Sequence, residues 1–341
     1  MPPPSQESVD YQTRVCVVVW SFLSLLWAIV VVLLLTGFVS LPLVDIDWTS
    51  ASRHAGLENC LCVCAGVSLA CFIAGQVSGN VSQVDKLWSI VPGLYTGLFI
   101  DIFQSISPRL LLMLLVTVVW GSRLTYNFWR RGGYSWPPWV GIEDYRWAYV
   151  RKWPVLNTEF GWFLFNLLFI SVYQHLLLLS LALPALSATL ANTDLNCLDL
   201  AVTLTILGLI LLESVADQQQ EEFQNEKWKR IRNGETLTHP YAAGFVSWGL
   251  FSLSRHPNYL AEQLIWVFFY LFSTAATGQW INPTMLGSLL LISLFQGSTM
   301  LSESITSSKY PGYTKYKQQV PMFIGNLWRM ATSYQPAIYK E

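Results

Sequence analysis

Charge is scarce in this chain. Lysine, arginine, aspartate and glutamate make up 12% of its 341 residues, against 53% hydrophobic residues and 16 tryptophans. So little polar surface cannot cover a water-soluble globule of this size, so most of the surrounding solvent is lipid. An excess of positive charge is missing too. The formal net charge is -1, which excludes the broadly basic surface of a nucleic-acid binder. No Gly-x-Gly-x-x-Gly motif stands between a strand and a helix, so a separate Rossmann domain is not expected.

Cysteine is sparse and poorly placed for cross-linking. Cys60, Cys62, Cys64 and Cys71 crowd one apolar stretch, while Cys16 and Cys197 lie far away. Alternate residues of a helix point in different directions, so Cys60, Cys62 and Cys64 do not converge on one metal, and no histidine pattern accompanies them. They read as small filler in a membrane helix, and no metal is expected. A signal-peptide cleavage site is also lacking. The run from Val15 to about Val39 is longer than the apolar region of a cleavable signal and reads as a retained first span.

Long apolar runs are what the chain has instead. A bilayer core takes roughly 20 apolar residues per helix, because only a closed hydrogen-bond ladder is tolerated in lipid. That ruler predicts an all-α polytopic bundle of about seven or eight spans: Val15–Val39, Leu57–Val77, Leu87–Phe103, Leu110–Phe128, Phe160–Leu186, Leu198–Ala216, Tyr259–Thr277 and Met285–Leu301. The third, interrupted by Pro92 and Gly93, is the weakest and could be re-entrant. A single membrane domain over 14–326, with tails at 1–13 and 327–341, is the simplest organisation.

Basic residues accumulate in the loop Trp129–Glu159, the segment Asp217–Asn258 and the tail, which places these three in the cytosol, whereas Ser187–Cys197 and Gly278–Pro283 carry none. Arg53 and Arg109 fall on the far side as minor exceptions. The tryptophans flanking the first basic loop, Trp129, Trp136, Trp139, Trp147 and Trp153, read as anchors at the headgroup boundary.

Ionisable groups within membrane helices are costly and mark candidate sites. Asp85 opens the third span, Arg123 and Tyr126 close the fourth, Glu213 and Asp217 close the sixth, Asn258 and Glu262 open the seventh, and Glu303 follows the eighth. Glu213 and Asp217 share a helix face, and Asn258 and Glu262 repeat that spacing, so two polar faces could meet. The plainer alternative is that each group serves a neighbouring helix or the headgroup zone. His175, in mid-span, reads as an interhelical hydrogen-bonding group.

The stretch Gly249-Leu-Phe-Ser-Leu-Ser-Arg-His-Pro-Asn-Tyr-Leu-Ala-Glu262, with Ala216-Asp217-Gln-Gln-Gln before it and Tyr310-Pro-Gly-Tyr313-Thr-Lys-Tyr316 and Val320-Pro-Met-Phe-Ile324 after it, resembles the steroid 5-alpha-reductase family. Gln83-Val-Asp85-Lys-Leu-Trp88 and Trp120-Gly-Ser-Arg123-Leu-Thr-Tyr126 look like earlier landmarks of its bacterial-type branch, and the likeness is strongest over 200–324. The resemblance implies a membrane reductase that moves hydride from NADPH onto a carbon–carbon double bond conjugated with a carbonyl in a lipid, with its site at the cytosolic face of the endoplasmic reticulum. It implies that Asp217, Arg255, His256, Asn258, Tyr259 and Glu262 contact the cofactor, joined by Glu303 and Tyr316. Asp85 and Tyr126 are then the groups that meet the substrate carbonyl, Asp85 standing where familiar steroid reductases carry Glu.

Two other readings stay open. Arg255 to Tyr259, Glu303 and Tyr313 to Tyr316 also resemble the corner of isoprenylcysteine carboxyl methyltransferases, which use S-adenosylmethionine; Asp217 and the Gln83–Trp88 and Trp120–Tyr126 segments lie outside that likeness. A silent sterol-binding protein built on a reductase frame is the third. The particular lipid is not encoded in any motif.

Overall fold

The computed structural model describes residues 51–103 and 106–324, and all regular structure among them is helical. The polytopic helical bundle expected from composition is what forms. Among the described residues six helices are long and apolar enough to cross a membrane: Leu57–Ser78, Pro108–Arg130, Glu159–Ala191, Cys197–Arg232, Pro257–Thr277 and Pro283–Lys309. Each corresponds to an expected span. The expected span Val15–Val39, Cys16 and the two terminal tails lie outside the described residues.

In chain order the helices are α1 (Ala51–Ser78), α2 (Gln83–Trp88), α3 (Val91–Ile102), α4 (Pro108–Arg130), α5 (Tyr145–Val150), α6 (Glu159–Ala191), α7 (Cys197–Arg232), α8 (Pro257–Thr277), α9 (Leu286–Lys309) and α10 (Tyr313–Gln319). The expected span Leu87–Phe103 differs from the structure. It is divided between α2 and the 12-residue α3, whose length of about 18 Å falls short of a bilayer core of about 30 Å. The break falls at Ser89 and Ile90, ahead of Pro92, which lacks an N–H and is tolerated only in a first turn. Gly121 of α4 makes room for it: a Cβ there would stand 2.2 Å from the Ser89 carbonyl oxygen.

The sixth expected span, Leu198–Ala216, is only the apolar half of α7. The helix runs on to Arg232, 36 residues in all, because Asp217–Arg232 is rich in good helix formers and carries an i,i+4 pair, Glu226 to Arg230 at 2.8 Å. At about 54 Å it is far longer than a bilayer core.

Helix α6 is apolar on every face and buried on nearly all of them; every side chain from Leu177 to Thr189 is buried. It begins on the Thr158 cap, whose hydroxyl accepts the Gly161 N–H at 3.1 Å, and turns π-helical over Asn166–Tyr173. Pro184 then leaves the Ser180 carbonyl without its helical donor. Gly287 of α9 packs against that carbonyl, where a Cβ would lie 2.4 Å from the oxygen.

The described chain divides into two compact units. One holds Gly208–Ile265 and the chain from Phe295 onward; the other holds the residues up to Leu207 and Trp266–Leu294. Inside the second unit Arg109 and Asp199 form a bidentate pair at 2.8 Å, each 1% exposed. Arg109 also donates to the carbonyls of Thr193 and Asp194 at 2.8 and 2.6 Å. The sequence counted Arg109 as an exception to the charge asymmetry of the loops. It is a neutralised internal brace, so it carries no weight in that asymmetry.

Candidate functional site

The first unit contains the polar cluster that helix spacing had foreshadowed. Asn258, in the first turn of α8, donates from Nδ2 to Oδ1 of Asp217 on α7 at 3.1 Å. One turn further along α8 the Glu262 side chain is buried, as is Glu213 one turn before Asp217. The polar faces of the two helices therefore do meet. The chain between them is held by Gly249, whose φ of +61° suits glycine and whose missing Cβ leaves room for Gln219. Gln219 Oε1 accepts the Leu250 N–H at 3.0 Å, so the polar extension of α7 fixes the approach to α8.

Around Glu303 of α9 two cations and an imidazole gather. Arg255 reaches its two oxygens from Nε and Nη2 at 2.6 and 3.2 Å, His256 Nε2 stands 3.0 Å away, and Lys317 Nζ 3.2 Å. Arg255 also donates to the carbonyls of Lys317 and Val320 at 3.1 and 2.5 Å, while its own N–H meets Pro321 O at 2.9 Å. Tyr316 donates to Phe251 O at 2.5 Å. These bonds strap α10 and the strand-like segment after it onto the Arg255 corner, over an aromatic cluster of Phe245, Tyr313 and Tyr316.

Of the residues the resemblance assigns to cofactor contact, the structure brings together two groups. Asp217 pairs with Asn258, with Glu262 buried beside Asn258 on α8; Arg255, His256, Glu303 and Tyr316 form the strap. Tyr259 stacks on His256 at 5.4 Å and meets Phe295 edge-on at 4.9 Å.

The second unit contains a cluster that sequence reasoning passed over. Basic charge and tryptophans are what the sequence of the loop Trp129–Glu159 makes visible. Its middle instead grips Asn80–Lys86 residue by residue. Asn80 donates to Gly141 O at 3.0 Å, Val81 N–H to Glu143 Oε1 at 2.8 Å, and Gln83 to Trp139 O at 2.9 Å. Lys86, buried, spends its ammonium on Gln83 Oε1, Pro138 O and Val140 O at 3.0, 2.8 and 2.8 Å. Ser82 Oγ accepts the Asp144 N–H at 3.0 Å and the Trp147 indole N–H at 3.2 Å. A signal was present in the polar run Glu143-Asp-Tyr-Arg146, but which partner it meets, 60 residues away, depends on the fold.

Asp85 sits within this grip, ahead of the apolar helix α3. Burial pushes its carboxyl up to about 6, reinforced by the charge of Asp144 and opposed by the Ser82 hydroxyl and Arg146. Tyr126 is differently placed. It is 56% exposed, packs on Trp129 with ring centroids 6.0 Å apart, and lies under Arg130 at 5.6 Å. The structure therefore leaves the first expected catalytic residue half-buried behind the gripping loop and the second at the surface of α4.

His175 is fully buried. Its Nδ1 lies 2.7 Å from the Ser171 carbonyl, which can only accept, so that nitrogen carries the proton and Nε2 faces Cys71 Sγ at 3.7 Å. This is the interhelical role expected of it. The cysteines of α1 diverge as expected: Cys60 and Cys64 are buried and Cys62 is exposed.

A family model described as a protein of unknown function, DUF1295, matches residues 71–320. The chain belongs to the DUF1295 family. The DUF1295 match takes in both polar clusters, from Cys71 at the edge of the Asp85 site to Val320 of the strap. An uncharacterised protein of the fission yeast Schizosaccharomyces pombe is 36% identical over 278 residues, covering 76% of this chain and 78% of its own length. No solved structure matches.

Proposed function

We propose that this protein is an NADPH-dependent membrane reductase that saturates a conjugated carbon–carbon double bond in a lipid, a steroid, a sterol or a long-chain enoyl compound. The observation that carries this reading is the Asn258–Asp217 hydrogen bond at 3.1 Å with Glu262 buried one turn along. It supplies a set of acceptors on two helices suited to ribose hydroxyls and a carboxamide. Membership of DUF1295, which includes steroid 5-alpha-reductase-like proteins, supports it.

NADPH fits this set in part. Asp217, Asn258 and Glu262 would hold it, and the cofactor would supply hydride. Arg255 is already occupied by Glu303 and two carbonyls, so it orders the corner instead of serving as a phosphate ligand. Lys317, 39% exposed at its side chain, is the cation of the strap best able to meet a phosphate. For its part Asp85, whose carboxyl is pushed up to about 6, would hold a proton below that pH, and a neutral carboxyl can donate to the carbonyl oxygen on which negative charge develops during reduction. The site would face the cytosol, in the endoplasmic reticulum of a eukaryotic cell.

The Arg255–Glu303 corner with Tyr313 and Tyr316 also suits a methyltransferase using S-adenosylmethionine. Asp217 lies outside that pattern, which favours the reductase. The deciding experiment is the mass of the ligand that purifies with the protein, followed by NADPH titration. Tight S-adenosylmethionine binding that NADPH does not displace selects the methyltransferase. NADPH binding with no reduction of any enone selects a silent lipid-binding protein.

A further inference from the structure

Backbone carbonyls of a loop at an aqueous surface are ordinarily left to water. At the tip of the gripping loop they are not. The carbonyls of five successive residues, Pro137 to Gly141, accept bonds from within the protein. Pro137 O takes the Val140 N–H at 2.9 Å. Lys86 donates to Pro138 O and Val140 O at 2.8 Å each, Gln83 to Trp139 O at 2.9 Å and Asn80 to Gly141 O at 3.0 Å. Pro137 and Pro138 themselves have no N–H that needs a partner. While these carbonyls are held from inside, the apolar side chains of the tip stay uncovered. Trp136 is 89% exposed, and Trp139, Val140 and Ile142 are exposed as well.

Internally satisfied carbonyls beneath apolar side chains are what a non-helical segment needs in lipid, where an unpaired carbonyl finds no water. An aqueous surface makes no such demand. The level of the tip in the fold agrees with lipid. It is bonded to Asn80, Gln83 and Lys86, which follow closely on the span that ends at Ser78. Both ends of the loop run into spans, Pro108–Arg130 and Glu159–Ala191. Exposed cations stand at those ends: Arg131 after α4, and Arg151 and Lys152 before α6. Arg151 lies over the Trp162 ring, near the start of α6, at 5.2 Å. Cations and aromatic rings gather in this way at the level of lipid headgroups. We propose that the loop tip Trp136–Ile142 is immersed in the surrounding bilayer at the headgroup boundary, with its apolar side chains on phospholipid.

The tryptophans of the loop then play different parts. Trp136 and Trp139 belong to the immersed tip. Trp147 does not, because its indole N–H is spent on Ser82 Oγ at 3.2 Å and its ring is half-buried. The same tip carries the carbonyls that hold Lys86 and Gln83, so lipid covers the outer side of the loop that grips the Asp85 segment. This immersion is independent of the reductase reading.

The test is fluorine NMR of the purified full-length protein, labelled with fluorotryptophan and held in phosphatidylcholine nanodiscs. Trp136→Phe and Trp139→Phe, conservative changes at exposed rings, identify the two signals of the tip by their loss. Two paramagnetic agents are then compared on the parent protein: phosphatidylcholine spin-labelled near the glycerol end of its acyl chain, and a water-soluble gadolinium chelate. The lipid label is expected to broaden both signals more than the chelate does. If the chelate broadens either signal more, that ring stands in water and the inference is overturned. Signals spared by both agents would mean that protein, a second copy or another partner, covers the tip, and would overturn it equally.

Discussion

The two polar clusters are built from different materials. The one around Glu303 is made of charges: Arg255 and Lys317, with the His256 imidazole, close on a carboxylate that is 3% exposed, and backbone carbonyls saturate the arginine. The one around Asp85 is made mostly of neutral donors and carbonyls, and its single buried lysine is satisfied by oxygens of Gln83, Pro138 and Val140. Pairing the buried Arg255 with Glu303 and with backbone carbonyls offsets its charge and fixes the chain. Around Asp85 the charges of Asp144 and Arg146 act in opposite directions, so burial dominates and raises its carboxyl. The first arrangement suits a brace beside a binding surface, the second a site of proton transfer.

The sharpest way to break this comparison is to remove the charge at the centre of the brace. Glu303→Ala leaves Arg255 buried without its counter-charge and should destabilise the protein by about 3–5 kcal/mol. Unfolding in detergent and protease cutting between Lys309 and Gln319 would report it. Equal stability to the parent protein would mean that the strap is not held by its charges.

Asn258→Ala should have the next largest effect, weakening NADPH binding by about 1–3 kcal/mol with little loss of folded protein, because a buried acceptor loses its donor. Fluorescence titration of NADPH measures it. Asp85→Asn should leave that affinity nearly unchanged and slow turnover of an enone about tenfold, as expected for a group that acts on developing charge. A carboxyl that titrates at about 6 donates below that pH and not above it, so parental turnover should fall as pH rises through 6. A flat profile from pH 5 to 8, with chemistry rate-limiting, would remove Asp85 as donor.

The smallest effects are expected at the edges of both clusters. Lys317→Ala, at a side chain 39% exposed, should cost no more than about 1 kcal/mol of stability. Tyr126→Phe removes a hydroxyl from an exposed ring and should change turnover less than Asp85→Asn does. A larger loss in Tyr126→Phe, measured in the same steady-state assay, would show that substrate covers this face of α4.

Apolar content by itself determined the class of the protein and the position of all six spanning helices among the described residues, because lipid imposes one length and one hydrogen-bonding solution on any segment that crosses it. Spacing by itself put Asp217 and Asn258 on faces that could meet, since the helical period relates positions within a helix. Their contact, and the pairing of Arg255 with Glu303, are matters of packing between helices. The extension of α7 past Ala216 escaped a ruler made for lipid, because polar residues form helix as well as apolar ones do. The grip on Asp85 was least legible of all. Its bonds run from side chains to carbonyls of a loop about 60 residues away, and a backbone carbonyl is present in every residue of any sequence. Which carbonyls face Lys86 or Gln83, and that Ser82 meets Asp144 and Trp147, only the tertiary structure decided.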